Sequence, residues 1–167
     1  MQKAGIKLTE KVILKSIWKY IVGLPAAVII ILVFIMSPYG KTLILKINRA
    51  KWEEQNISHY RFKLDIICLC PFQDSIPMTI EVRDGQIISV KDINGMDLDK
   101  HDLKVFERAG TIERLFDIAK GSISKAFSAS VSYNAEMGFP DSIESDWDEN
   151  VYDDEITYKV SEFEVLP

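Results

Sequence analysis

Two cysteines, a run of carboxylates and two aromatics are the side chains of this chain whose types and spacing could do chemistry. Cys68 and Cys70 are separated by one residue. On a strand, residues i and i+2 point to the same face, so the two sulfurs can approach each other. The strand rise sets their Cα atoms about 6.6 Å apart. That is the long end of disulfide geometry, so a bond would be strained unless the strand bulges. A strained disulfide is easily reduced, which suits a redox role. Two thiolates could instead hold a soft ion such as Cu(I). Two small buried hydrophobes, or a merely structural bond, are the plain alternative. Neither His59 nor His101 is placed by the sequence to complete a metal site.

The second group is acidic. Asp141, Glu144, Asp146, Asp148, Glu149, Asp153, Asp154 and Glu155 crowd one stretch with no basic residue among them. Asp146-x-Asp148-x-Asn150 begins like a calcium loop, but Val151 stands at the required Gly and Thr157 at the bidentate Glu. Asp146, Asp148, Asp153, Asp154 and Glu155 therefore leave only a looser oxygen cage for Ca²⁺, or a partner-binding surface. A solvated, self-repelling loop is the reading the pattern favours. Gly138-Phe139-Pro140 serves a turn, with Gly supplying positive φ and Pro fixing the next residue. Phe139 and Trp147 could instead be contact residues. Ser122-x-x-Lys125 has the spacing of penicillin-recognising enzymes, but it closes a helix and lacks the partner motifs. No nucleophile elbow, phosphate loop, dinucleotide fingerprint or zinc-protease motif occurs. We assign no catalytic residue and expect no cofactor, with Cu(I) and Ca²⁺ as the alternatives.

The elements that position these residues begin with a membrane segment. Tyr20 to Met36 runs uncharged, and with its flanks the stretch 17–39 can cross a hydrocarbon core of roughly 30 Å. Trp18 and Tyr39 fall where interfacial aromatics are expected, and Lys19 would snorkel to the headgroups. The bulky sequence after it, with Pro38, makes a poor signal-peptidase site, so the segment reads as an uncleaved anchor. Five lysines precede it in the basic segment 1–16 and at Lys19; Lys41, Lys46, Arg49 and Lys51 follow it closely. The balance favours an N-terminus inside and a body outside the cytoplasmic membrane.

Charge divides with the same boundary. The 167 residues carry a net −5; residues 1–47 hold seven lysines and one glutamate, a net +6. The remaining 13 basic and 24 acidic side chains give a net −11. An acidic body argues against nucleic acid as partner, because phosphate binding needs basic surface. A hydrophobic share of 47% excludes a disordered chain, and two cysteines exclude a disulfide-dense scaffold.

Residues 42–56 read as a connecting amphipathic helix, with Leu43, Ile47, Ala50 and Glu54 along one stripe and Ile44, Lys51 and Trp52 beside it; it packs on the domain, or else lies on lipid headgroups through Lys41, Lys46, Arg49 and Lys51. Beyond it, residues 57–167 form the domain. His59 to Cys70 alternates as a strand whose far end is covered on both faces. Met78 to Val82 continues into Asp84-Gly85, a hairpin turn, with Gln86 to Ile93 returning. Thr111 is the expected N-cap of a helix bearing Ile112, Leu115, Phe116, Ala119 and Ile123. Strands follow near 130–134, 142–147 and 156–165. The order predicts an α+β fold, a small antiparallel sheet with one or two packed helices.

In this order and spacing, Trp52, Tyr60-x-Phe62, Cys68-x-Cys70-Pro71, Val82-x-Asp84-Gly85 and Thr111-Ile112-x-x-Leu115-Phe116 form a series. Val131-x-Tyr133, Gly138-Phe139-Pro140, Ile143-x-x-Asp146, Asp153-Asp154-Glu155 and Phe163 complete it. The sequence resembles a bacterial family catalogued only as a domain of unknown function, numbered sixty-one seventy-four, from Trp52 to Val165. The resemblance implies an exported, lipid- or membrane-anchored α+β domain and implies no reaction. The expected function is a single-pass, membrane-anchored extracytoplasmic binding or interaction module without catalysis. Its expected partners are the lipid bilayer and a protein of the cell envelope. The alternatives are a thiol-redox or copper-handling protein built on Cys68 and Cys70, and a calcium-dependent assembly domain built on the 141–155 loop.

Overall fold

The structure is a computed structural model that describes residues 28–29, 31–69, 73–98 and 106–167. It divides into two compact units, Met1–Lys41 and Thr42–Pro167.

In the first unit, residues 31–36 are helical and Ser37 interrupts them for a single residue. The Ser37 amide still donates to Val33 and Phe34, at 3.1 Å each, and its hydroxyl donates to the Phe34 carbonyl at 2.6 Å. The same hydroxyl then accepts from the Gly40 amide at 3.2 Å, which caps the next helix. Pro38 opens that helix, α1 (Pro38–Glu54), where a missing N–H costs nothing. The break between the apolar helix and α1 is thus one residue wide, and α1 starts four residues before Thr42. Among the described residues no helix is long and apolar enough to cross a membrane. Most of the expected span, including residues 17–27 with Trp18 and Lys19, lies outside the described residues.

The second unit is an antiparallel sheet of six strands in the order β3-β2-β1-β6-β5-β4. The strands are β1 (His59–Ile67), β2 (Met78–Arg83), β3 (Gln86–Lys91), β4 (Ser128–Tyr133), β5 (Pro140–Asp146) and β6 (Ile156–Val165). One short 3₁₀ turn (Gln73–Ser75) precedes β2, and α2 (Ile112–Lys125) precedes β4. Period-two patterning puts Tyr60, Phe62, Leu64 and Ile66 of β1 into the core beside Met78, Ile80 and Val82 of β2. Arg61, Lys63 and Asp65 take the open face, where Arg61 pairs with Glu164 at 2.6 Å and Lys63 with Glu162 at 2.8 Å. Asp84 and Gly85, at φ 51° and 72°, make the hairpin turn the sequence announces.

Helix α2 begins where Thr111 predicts. The Thr111 hydroxyl accepts from the Arg114 amide at 3.3 Å, and Ile112, Leu115, Phe116, Ala119 and Ser122 are buried. Ser122 is polar, and it satisfies itself by accepting from the Ser145 hydroxyl on β5 at 2.6 Å. Helix α1 buries the Trp52 side of the expected face and not the stripe beside it. Leu45 and Trp52 go inward, while Leu43, Ile47, Ala50 and Glu54 face outward. Two apolar stripes compete on this helix, and the core partners of Trp52 select the second.

Strand β1 is also shorter than its alternation suggests. It ends at Ile67, opposite Thr157, at the start of β6. Beyond that pair Cys68 and Leu69 lie in a bend, and Ile67 and Leu69 are exposed rather than covered. A bulge on β6 sets Glu162 and Phe163 against Phe62, with Glu162 at φ 48°. That extra residue turns Phe163 toward Trp52 and leaves Glu162 on the open face beside Lys63.

Candidate functional site

Four residues of the series that carries the resemblance, Trp52, Tyr60, Phe139 and Phe163, converge on one structural knot. Trp52 of α1 meets Tyr60, Phe139 and Phe163 edge-on, with centroids 5.5, 5.9 and 5.7 Å away. Phe139 stacks on Phe163 at 4.6 Å, and Tyr60 stacks on Phe163 at 5.5 Å. Such aromatic pairs stabilise by about 0.5–1.5 kcal/mol beyond their area burial. Glu113, in the first turn of α2, accepts from Trp52 Nε1 at 3.0 Å and from the Tyr60 hydroxyl at 3.2 Å. The Tyr60 oxygen in turn accepts from the Ile112 amide at 3.1 Å. Burial and the neighbouring Glu113 carboxylate push the Tyr60 phenol well above its ordinary range. Glu113 was not singled out by the sequence; its signal is an acidic residue in the first turn of a capped helix, near a tryptophan and a tyrosine that need acceptors.

The 134–139 turn locks against this knot. The Asn134 amide donates to Phe139 O at 2.8 Å, and Lys51 Nζ donates to Ala135 O at 2.6 Å. Gly138 sits at φ 84°, and a Cβ there would lie 2.6 Å from Asn48 O on α1. Phe139 is therefore a core residue, and its sequence reading as a contact gives way to the turn. Arg49 is also spent on packing, bridging Asp117 at 2.9 Å and Glu53 at 3.2 Å while lying over the Phe116 ring. Of the basic residues after the apolar segment, Arg49 and Lys51 thus serve the domain.

The cysteine pair resolves in part. Cys68 is half-buried in the bend after β1 and is disulfide-bonded. The chain has one other cysteine, Cys70, which lies outside the described residues. A disulfide sulfur is not a thiolate, so copper ligation by Cys68 would require prior reduction. His59 is occupied: its Nε2 lies 2.8 Å from Glu81 and its Nδ1 2.8 Å from Pro167 O. That contact holds the Glu81 carboxyl below its usual range. His101 lies outside the described residues.

The acidic stretch separates into a strand end and a loop. Asp148 accepts from the Asn150 amide at 3.0 Å in a local turn, and Asp153 takes φ 70°. Asp146 and Glu155 line a groove of about 260 Å³ with Glu144, Ser128, Ser130, Ser145 and Thr157. Partial burial, then the nearby Asp154 and Glu155, hold the Asp146 carboxyl above its usual range. One Asp154 carboxylate oxygen is buried without a hydrogen-bond partner among the described residues. No group of three or more metal-ligating side chains could hold an ion among the described residues. Trp147, 42% exposed, stands at the end of β5 with Phe127, Val151 and Tyr152 also exposed nearby in sequence or across the β4–β5 pairing. Tyr39 is 82% exposed in the first turn of α1.

No curated protein and no solved structure matches the chain. A family of unknown function, DUF6174, matches it over residues 44–165. That range runs from the second turn of α1 to the last residue of β6, and includes every member of the aromatic knot. The chain belongs to this family, DUF6174.

Proposed function

We propose that the chain is a single-pass, membrane-anchored interaction module whose body lies outside the cytoplasm and carries no catalysis of its own. The observation that carries this reading is the uncharged run Tyr20–Met36 between lysine-rich flanks. In its described part the large apolar side chains are turned outward, from 42% exposed at Ile35 to 75% at Met36. Contiguous apolar surface of this kind needs a lipid or protein cover. The disulfide at Cys68 supports an oxidising compartment for the body. The family landmarks go into packing: Trp52, Tyr60, Phe139 and Phe163 build the core rather than an open site. Expression of the full chain, carbonate extraction of membranes, and protease treatment of intact spheroplasts test the reading. The anchored module stays in the pellet and its C-terminal epitope is digested from outside. Recovery in the supernatant, or a protected epitope, refutes it.

A further inference from the structure

We propose that the end of the sheet where β5 turns into β6, carrying Phe127, Trp147 and Tyr152, docks an arginine-bearing apolar segment of a partner protein. The inference rests on the reading of the chain as an interaction module, and names the surface and the partner's chemistry.

The register of the strands brings this surface together. Ser145 pairs with Ile156, and Ser128 with Asp146. The 147–155 loop and Phe127 therefore lie beyond the last rungs of β6, β5 and β4, at one end of the sheet. On the other side of β6, Ile67 pairs with Thr157, which brings Ile67 and Leu69 to the same end. There Tyr152 is 95% exposed, Phe127 59% and Trp147 42%, and Ile67, Leu69 and Val151 are exposed as well. At the opposite end, among the described residues, Val165 is the one exposed large apolar side chain, and the 134–139 turn is held against α1 by Lys51. Apolar surface gathered at one end of a domain marks a place where something docks. Tryptophan and tyrosine are the side chains that most often anchor such contacts.

The charge beside these rings selects the occupant. Asp146, Asp148, Glu149, Asp153, Asp154 and Glu155 flank Trp147 and Tyr152, with no basic residue in that stretch. None of the six enters an ion pair among the described residues, whereas further along β6 the charges are paired as Lys63–Glu162 and Arg61–Glu164. One Asp154 carboxylate oxygen is buried without a hydrogen-bond partner among the described residues. Partial burial, then the like charges of Asp154 and Glu155, already raise the Asp146 carboxyl, and an incoming cation relieves that crowding. A second copy of this chain would bring the same carboxylates, and an anionic lipid surface would bring phosphates, so both are repelled. A bare metal ion finds no group of three or more ligating side chains among the described residues. The complement is a protein segment that interleaves cations with apolar side chains. Arginine suits it better than lysine, because a guanidinium is weakly hydrated, stacks on an indole or phenol ring, and pairs carboxylates through its edge. The apolar neighbours of that arginine cover Phe127 and Val151.

The test uses the full chain in phosphatidylcholine nanodiscs and a seven-residue peptide alternating arginine with leucine, with empty nanodiscs as the blank. The peptide binds saturably, shifts the amides of Phe127 and of residues 147–155, and releases as salt rises. Trp147→Ala, a change at an exposed position, weakens binding about tenfold or more, equivalent to about 1.4 kcal/mol. Glu149→Gln/Asp153→Asn/Glu155→Gln weakens it to a similar extent and flattens the salt dependence. Glu162→Gln/Glu164→Gln, which removes carboxylates from the paired part of β6, leaves binding unchanged. A peptide alternating glutamate with leucine does not bind. Absence of arginine-peptide binding, undiminished binding by Trp147→Ala or by the loop variant, an equal loss in Glu162→Gln/Glu164→Gln, or amide shifts located elsewhere overturns the proposal. Concentration-dependent shifts at Trp147 without peptide overturn it in favour of self-association. Quenching by brominated lipid that Trp147→Phe abolishes overturns it in favour of the bilayer. A folded chain that stays in the membrane but ignores the peptide refutes this surface alone; extraction by carbonate refutes the anchored-module reading.

Discussion

Replacing Glu113 should destabilise the domain more than any change of one exposed charge, because two core side chains depend on its carboxylate. Trp52 Nε1 and the Tyr60 hydroxyl both donate to it, and Trp52 and Tyr60 are 4% and 1% exposed. A buried donor left without an acceptor costs about 1–3 kcal/mol. In Glu113→Ala both donors lose their acceptor, so the expected loss is about 2–4 kcal/mol against a total of about 5–15 kcal/mol. Glu113→Gln keeps one acceptor oxygen but turns an amide N–H toward the other donor, and should cost about 1–2 kcal/mol. Urea titration of the detergent-solubilised full chain, followed by far-ultraviolet circular dichroism, gives both values. The pairwise part comes from a cycle with Trp52→Phe, which deletes the donor. Glu113→Ala should cost at least about 1 kcal/mol less in that background. Purely additive effects, or a loss below about 1 kcal/mol for Glu113→Ala, would refute the claim that this carboxylate anchors the knot.

Other consequences follow from the same packing. Gly138→Ala forces a Cβ into Asn48 O at φ 84°, and should lower stability by about 1–3 kcal/mol while Gly121→Ala, in open space on α2, is neutral or stabilising; paired urea titrations read the contrast. Ser122→Ala alone strands the Ser145 hydroxyl and should cost about 1–3 kcal/mol, whereas Ser122→Ala/Ser145→Ala should recover part of that loss. Burial raises the Tyr60 phenol and pushes Tyr133 up to about 12. Their neutral forms are favoured in the fold, so that contribution is complete below the unfolded value of about 10 and is lost as pH rises through the folded values. Midpoint stability should therefore fall above about pH 10, and Tyr133→Phe should flatten that fall.

How far the sequence could be read depended on which physical signal each segment carries. Strands β2 and β6, the Asp84-Gly85 hairpin and the Thr111 cap were legible because alternation, turn chemistry and capping are local. The α1 stripe was not, since Leu43, Ile44, Leu45 and Ile47 offer adjacent faces and it is the distant partners of Trp52, the Glu113 acceptor and the Tyr60, Phe139 and Phe163 rings, that select its side of the helix. Strand β1 alternates beyond Ile67 in sequence, yet a strand ends where its neighbours end, and that depends on a segment about ninety residues away. The Cys68 bend follows from this. At the candidate surface, Trp147, Asp146 and Glu155 were readable as composition, but the groove that joins Asp146 and Glu155 with Ser128 and Ser130 exists only once the strand order is known.

The position of β6 governs the order of folding. Hairpin β2–β3 with β1 comes early in the chain and β4–β5 comes later, and within each group every pairing joins strands consecutive in sequence. The strand that joins them follows all five in the chain, and it inserts between β1 and β5. Until it emerges, the chain holds two separate small sheets, each with an unpaired inner edge and a half-formed apolar face. Closure then requires a contact between Tyr60 and Val165, and loop closure over such a separation is slow. The domain therefore completes its core only once β6 has been made, and the interval before that is when its own strands are most open to wrong partners.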